Sequence, residues 1–194
     1  MAIRTEGNKT YANWGKFSTN PYFTVLNRSV LVEDDPIVEC FDAVWYRNDR
    51  ILVDCVNKTA SKGLINTFFY VDSERPSVVG SKQNTLFTNY TKISTRKLYY
   101  YGGSKDLIFR VYYSWAVDPK NKNSTYIEVI SMIDQMNPQT LRVMDRQFFG
   151  LDSVSIVDFK LIGDTVYVVD ESVGTMALKI SEILRVNQDG KNIQ

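Results

Sequence analysis

Twelve short segments rich in Val, Ile, Tyr, Phe and Trp, none longer than nine residues, are separated along this chain by clusters of Gly, Asn, Asp, Ser and Pro. They read YFTVL, DAVWY, ILVDCV, NTFFYV, PSVV, KLYYY, LIFRVYYSW, TYIEVISMI, TLRVM, VSIVDFKLI, TVYVVD and TMALKI. Segments of this length span a sheet but are too short for a stable helix, and β-branched and aromatic side chains suit a pleated, packed surface. The best helix candidate, Ser181–Arg185, is too short to matter alone. The chain is therefore expected to be all-β. Residues 1–21 scatter aromatics among Gly, Asn, Ser, Thr and Pro and read as an irregular lead-in, which leaves 22–194 as the folded unit.

The segments repeat. Asn48-Asp49-Arg50-Ile51-Leu52-Val53, Asp106-Leu107-Ile108-Phe109-Arg110-Val111 and Asp164-Thr165-Val166-Tyr167-Val168-Val169 each open on a turn residue, and they start 58 residues apart in both steps. In this frame Asp42 and Asp54 fall opposite Asp158 and Asp170. Each unit continues with a third strand (Phe68–Val71, Tyr126–Ile130, Met176–Ile180), and the first two with a fourth (Ser77–Val79, Leu141–Met144). Four antiparallel strands recurring at roughly 40–60 residues is the pattern of a β-propeller blade. The expected architecture is a partial propeller of about three blades, over about 38–80, 96–149 and 155–187.

The phrase LIGDTVYVVDESVGTMALKIS resembles the inner-strand repeats of NHL-like and YVTN-like propeller families, and the ILVDC hairpin is similar to that of large extracellular propeller-bearing proteins of protists. The resemblance covers about residues 38 to 187 and implies the fold superfamily; no family active site carries over with it. Three blades are too few to close a ring, since propellers typically have 4–8. Further blades of the same precursor, or other protein chains, are the expected partners. YFTVLNRSVLV is expected to give the outer strand of a preceding blade, and Asp189-Gly190 reads as a hairpin turn leading onward.

Charge and composition narrow the function classes. Lys plus Arg number 23 against 22 Asp plus Glu, so no large electrostatic term favours nucleic acid or anionic lipid. Histidine is absent, which removes the commonest general base, the usual zinc ligand and the middle member of nucleophilic triads. Walker A, Gly-X-Ser-X-Gly and Gly-X-Gly-X-X-Gly patterns do not occur, and no run of 18 apolar residues suggests membrane insertion. No catalytic residue, cofactor or metal site is expected.

Two features point to the secretory route instead. Asn-X-Ser/Thr occurs five times, at Asn8, Asn27, Asn57, Asn89 and Asn123, which makes N-linked glycans expected partners. The only cysteines, Cys40 and Cys55, flank one hairpin. If it turns on a four-residue loop Tyr46–Asp49, Val44 meets Ile51 and Cys40 meets Cys55, close enough for a disulfide. The N-terminus lacks the apolar stretch of a signal peptide, so that peptide is expected to lie outside this chain.

Other constellations read as structure. Glu33-Asp34-Asp35 supplies too few oxygens for calcium, and Asp42, Asp54, Asp158 and Asp170, which recur between the first and third blades and are lacking in the middle one, suit turns or inter-blade hydrogen bonds better than the paired carboxylates of a glycosidase. The aromatic run Tyr99-Tyr100-Tyr101, with Tyr112, Tyr113 and Trp115, could stack sugars, but successive strand residues point to opposite faces and fit a core packed on both sides. The expected function is a non-enzymatic extracellular glycoprotein module with a structural, adhesive or recognition role at or outside the cell surface. The alternatives are a cytoplasmic propeller scaffold with reduced cysteines and, at lower weight, a carbohydrate-active propeller enzyme.

Overall fold

The computed structural model describes residues 1–17, 25–33, 35, 38–47, 49–59, 63–75, 77–87, 90–103, 105–116, 124–135 and 137–185. Over these residues the chain is all-β, with four antiparallel sheets in which sequence neighbours pair. Sheet 1 contains β1 (Ala2–Glu6), β2 (Lys9–Phe17) and β3 (Val25–Glu33). Sheet 2 contains β4 (Val38–Tyr46), β5 (Arg50–Thr59), β6 (Gly63–Asp72) and β7 (Ser77–Phe87). Sheet 3 runs through β8 (Tyr90–Tyr101), β9 (Leu107–Ala116), β10 (Ser124–Ser131) and β11 (Gln139–Met144). Sheet 4 consists of β12 (Ile156–Ile162), β13 (Thr165–Asp170) and β14 (Gly174–Lys179); of two single-turn helices, α1 (Arg146–Phe149) lies against β11 and α2 (Ile180–Ile183) against β14. No described helix is long and apolar enough to cross a membrane.

The lead-in expectation needs correcting. Residues 2–6 and 9–17 form a hairpin whose two-residue loop is Gly7-Asn8, with Gly7 at φ 60° and Glu6 paired to Lys9. The aromatics that looked scattered obey the two-residue period: Thr10, Ala12 and Trp14 are buried, whereas Lys9, Tyr11 and Asn13 lie on the opposite face. The segment Val25–Glu33 is indeed the last strand of a preceding sheet, so four sheets exist where three units were expected.

Each sheet packs face to face on the next in chain order. Ala12, Trp14, Val30 and Val32 of sheet 1 meet Ile51, Val53, Cys55 and Phe69 of sheet 2. The other side of sheet 2, through Tyr46, Leu52, Phe68 and Tyr70, meets Leu98, Ile108 and Ile130 of sheet 3. Leu107, Phe109, Val111, Ile127 and Val129 then face Ile156, Phe159, Val166 and Val168 of sheet 4. Sheets 2 and 3, covered on both sides, carry runs of buried residues such as Ile51–Val56 rather than an alternating pattern.

The repeat frame is also corrected. The carbonyls of Asp49, Asp106 and Asp164, in the first turn of sheets 2, 3 and 4, accept from the amides of Ser73, Met132 and Ile180, just past each third strand. The equivalent turn residue in sheet 2 is thus Asp49, not Asn48, and the first repeat is one residue shorter than the second. The faces agree, because Leu52 and Phe109 both look toward the following sheet. Asp42 remains equivalent to Asp158, each opposite the second strand at Asp54 and Val169, but Asp170 corresponds to Cys55 rather than to Asp54.

The cysteine hairpin turns on three residues, 47–49, with Arg47 at φ 56°, so Val44 faces Leu52 and Tyr46 faces Arg50. A bulge at Phe41 takes up the extra residue, which restores Cys40 opposite Cys55. These two close the disulfide, with their Cα atoms 3.9 Å apart. The pairing was expected for a loop that does not form.

Candidate functional site

The first strands of sheets 2, 3 and 4 are edge strands, β4 lying beside β8 and β8 joined to β12 through Tyr99 and Phe159, and each carries a bulge at the same level. The extra residues are Phe41 in β4, Arg96 in β8 and Val157 in β12, set against the steps Asp54-Cys55, Val111-Tyr112 and Val169-Asp170 of the neighbouring strands. A bulge bends its strand, blunts an open edge and re-aims the next side chain. Here the next residues are Asp42, Lys97 and Asp158, three charged groups at one structural position. The Asp42 carboxylate accepts from the Leu98 amide at 2.8 Å, joining β4 to β8. The Asp158 carboxylate accepts from the Phe159 amide at 2.8 Å.

Between β8 and β12 this level opens into a cleft of about 370 Å³. Lys97 and Asp158 stand at its exposed side, with Tyr99, Val111, Ile156 and Phe159 as the wall. The Tyr99 ring lies 4.7 Å from that of Phe159, its hydroxyl donates to the Phe159 carbonyl at 2.5 Å, and the Lys97 ammonium sits 6.0 Å above it. Burial raises the Tyr99 pKa, and the nearby Asp158 and Asp42 raise it further, so the phenol stays a neutral donor. A cation, a carboxylate and an aromatic wall can orient a polar ligand or a peptide edge. Among the described residues no group of three or more Cys, Asp and Glu is placed to hold a metal ion.

A second polar cluster lies in the buried interior between sheets 2 and 3. Arg110 of β9 pairs with Glu128 of β10 within its sheet, and its guanidinium stands 3.5 Å from Asp54 of β5. Thr95 donates to Asp54, Thr140 donates to Glu128 at 2.5 Å, and the guanidinium lies 5.1 Å from the Tyr112 ring centre. Desolvation works against the Arg110 charge, but Glu128 and Asp54 outweigh it and hold its pKa above the ordinary value. Because Arg110, Asp54 and Glu128 are at most 1% exposed, the cluster is an internal tie between sheets.

The first turns of successive sheets are tied at the surface as well. Arg47 donates to Asp106 Oδ2 at 2.5 Å, Tyr100 donates to Asp106 Oδ1 at 2.7 Å, and Tyr101 donates to Asp164 at 2.5 Å. Burial and Asp106 push the Tyr100 pKa up to about 12. The tyrosine run thus splits by face: Tyr46 and Tyr100 stack edge to face between sheets 2 and 3, and Tyr99 turns toward sheet 4.

The anticipated modification sites are dispersed. Asn8 is exposed in the first hairpin loop, whereas Asn57 is half-buried in the inner strand β5, with its carbonyl oxygen buried and without a hydrogen-bond partner among the described residues. Asn27 lies in β3; Asn89 and Asn123 lie outside the described residues, as do Asp34 and Asp189-Gly190. Sequence reasoning missed the Asp42–Lys97–Asp158 level because only its two aspartates share a frame. It missed Arg110 as well, which sits in LIFRVYYSW like any solvent-facing strand residue.

The chain matches no known protein-family model, no curated protein and no solved structure.

Proposed function

We propose that this chain is an arc of a β-propeller serving as a non-enzymatic extracellular recognition or structural module, whose contact surface includes the Asp42–Lys97–Asp158 level and the cleft beside it. The observation that carries the compartment is the closed Cys40–Cys55 disulfide, since such bonds persist in oxidising environments. Supporting the arc is the packing of four meandering sheets in chain order, with β1 beside β4, β4 beside β8, and β8 joined to β12 through Tyr99 and Phe159. Recognition suits the site because its charged groups sit at one repeated position on three edge strands, beside an aromatic wall. Of the described acceptors, Asn8 is the best placed to carry a glycan, being exposed in the first hairpin loop.

The experiment is intact mass of protein produced through a secretory route, before and after enzymatic deglycosylation, with thiol alkylation. The expected result is loss of mass on deglycosylation and no alkylated cysteine. Unchanged mass with two alkylated thiols would show a reduced, bare scaffold and overturn the extracellular reading.

A further inference from the structure

One position sets the joint between sheets 3 and 4 apart from the joint before it. Where sheet 2 meets sheet 3, Asp42 follows the β4 bulge, and its carboxylate reaches across to the Leu98 amide of β8 at 2.8 Å. Where sheet 3 meets sheet 4, the residue after the bulge is Lys97, and the amide equivalent to that of Leu98 is that of Phe159. An ammonium has donors alone and cannot close this link. The Phe159 amide donates instead to Asp158 Oδ1 of its own strand. The joint that lacks a bridging carboxylate is the one that opens into the cleft of about 370 Å³.

Two opposite charges line this cleft without meeting. Lys97 is exposed, with its ammonium over the Tyr99 ring, and Asp158 is exposed with Oδ1 on the Phe159 amide. Among the described residues neither is in an ion pair, and Asp158 Oδ2 accepts no hydrogen bond. Beside them the lining is apolar, and the bulge residue Val157 is 57% exposed there. The cleft therefore offers a donor cation, an acceptor anion held apart from it, and an aliphatic and aromatic surface.

We propose that this cleft binds a free α-amino acid with an aliphatic side chain. Lys97 takes the α-carboxylate, which supplies at this joint the group that Asp42 supplies at the preceding one. Asp158 Oδ2 takes the α-ammonium, and Val157 and Tyr99 cover the side chain. The assignment names a ligand for the recognition surface proposed above and rests on that reading. A zwitterion leaves neither charge of the cleft unmatched, whereas a simple carboxylate would set its charge beside Asp158 and a simple amine would set its own beside Lys97. At about 370 Å³ the cleft lies near the lower end of small-molecule sites, about 300–1,000 Å³, which suits one amino acid rather than a polymer.

The test is isothermal titration calorimetry of the whole chain with L-leucine, with leucinamide, which lacks the α-carboxylate, and with 4-methylpentanoate, which lacks the α-ammonium. Lys97→Met and Asp158→Asn each remove one charge and keep the length of the side chain. Lys160→Met, exposed on the strand of Asp158 but outside the cleft, is the control. L-leucine should bind at one site. Either analogue, and either cleft variant with L-leucine, should bind about tenfold more weakly or worse, the loss of one charge-assisted hydrogen bond. Lys160→Met should bind as the parent does, and equal thermal melting checks that the variants fold. No heat with millimolar L-leucine, an analogue that binds as well as L-leucine, or a folded cleft variant that binds as the parent does overturns the proposal. The analogues decide it on the unmodified chain even where a variant folds poorly. Bare asparagines or free thiols in the mass experiment leave this result standing, and failure to bind leaves the glycans and the disulfide standing, so the two readings fail separately.

Discussion

Arg110 on β9 and Asp54 on β5 stand 3.5 Å apart across the interface of sheets 2 and 3, and neither side chain is exposed. With Glu128 on the adjacent strand, one guanidinium serves two carboxylates out of contact with water. Such a cluster contributes more to fixing the register of two sheets than to net stability, because desolvation of three charges offsets much of their attraction. Removing the cation alone leaves two carboxylates buried without it. Arg110→Met should therefore destabilise the fold by about 3–5 kcal/mol, read as a fall in the denaturant midpoint. The triple change Arg110→Met, Asp54→Asn and Glu128→Gln should recover most of that loss. A single variant as stable as the parent would mean that the cluster is hydrated in solution.

The disulfide closes a loop of sequence separation 15, where the chain-entropy model gives about 3 kcal/mol. Reduction should lower stability by that amount without changing the strand signal in far-UV circular dichroism, because Cys40 and Cys55 also pack in the core between sheets 1 and 2. Collapse of the strand signal on reduction would instead make the bond a condition of folding.

Asp170 organises the turn after β13. Its carboxylate accepts from the amides of Ser155, Ser172 and Val173 and from the Ser172 hydroxyl. Desolvation raises its pKa, but these donors outweigh burial and hold it below the ordinary 3.8. A depressed carboxylate binds fewer protons folded than unfolded. Its stabilisation is therefore present above the ordinary value and is lost as pH falls through the depressed one. Asp170→Ala should cost about 2–3 kcal/mol near neutral pH, and the gap to the parent should narrow below pH 3.8. A gap independent of pH would assign the loss to packing.

Strand identity was legible because each segment has its own period and punctuation, and Cys40 opposite Cys55 was legible because only two cysteines exist. The repeat was legible to within one residue. Its first turn uses three residues between Tyr46 and Arg50, whereas the next uses five between Tyr101 and Leu107, and composition does not reveal that difference. The first hairpin could have been found from Gly7-Asn8 flanked by alternating residues, a two-residue turn signal obscured by the polar residues around it. Arg110 could not be found this way. Its burial depends on Glu128, 18 residues away, and on Asp54 of another sheet, and no local pattern encodes either contact.

The sequons differ most sharply between Asn8 and Asn57. Asn8 projects from a hairpin loop with a positive-φ glycine before it and is exposed, so a glycan there meets only solvent. Asn57 lies between β4 and β6, paired with Val38 and Ile65, and its side-chain oxygen is buried. A bulky hydrophilic group on the nitrogen of that amide would have to emerge from a half-buried position between two paired strands. In secreted protein, Asn8→Gln should remove one glycan's mass, while Asn57→Gln should leave the glycan mass unchanged. Asn57→Gln should still destabilise the fold, because the longer side chain must be accommodated at a half-buried position on an inner strand. Mass spectrometry of the two variants beside the parent checks both outcomes, and a glycan mass lost from Asn57→Gln but not from Asn8→Gln would reverse this assignment.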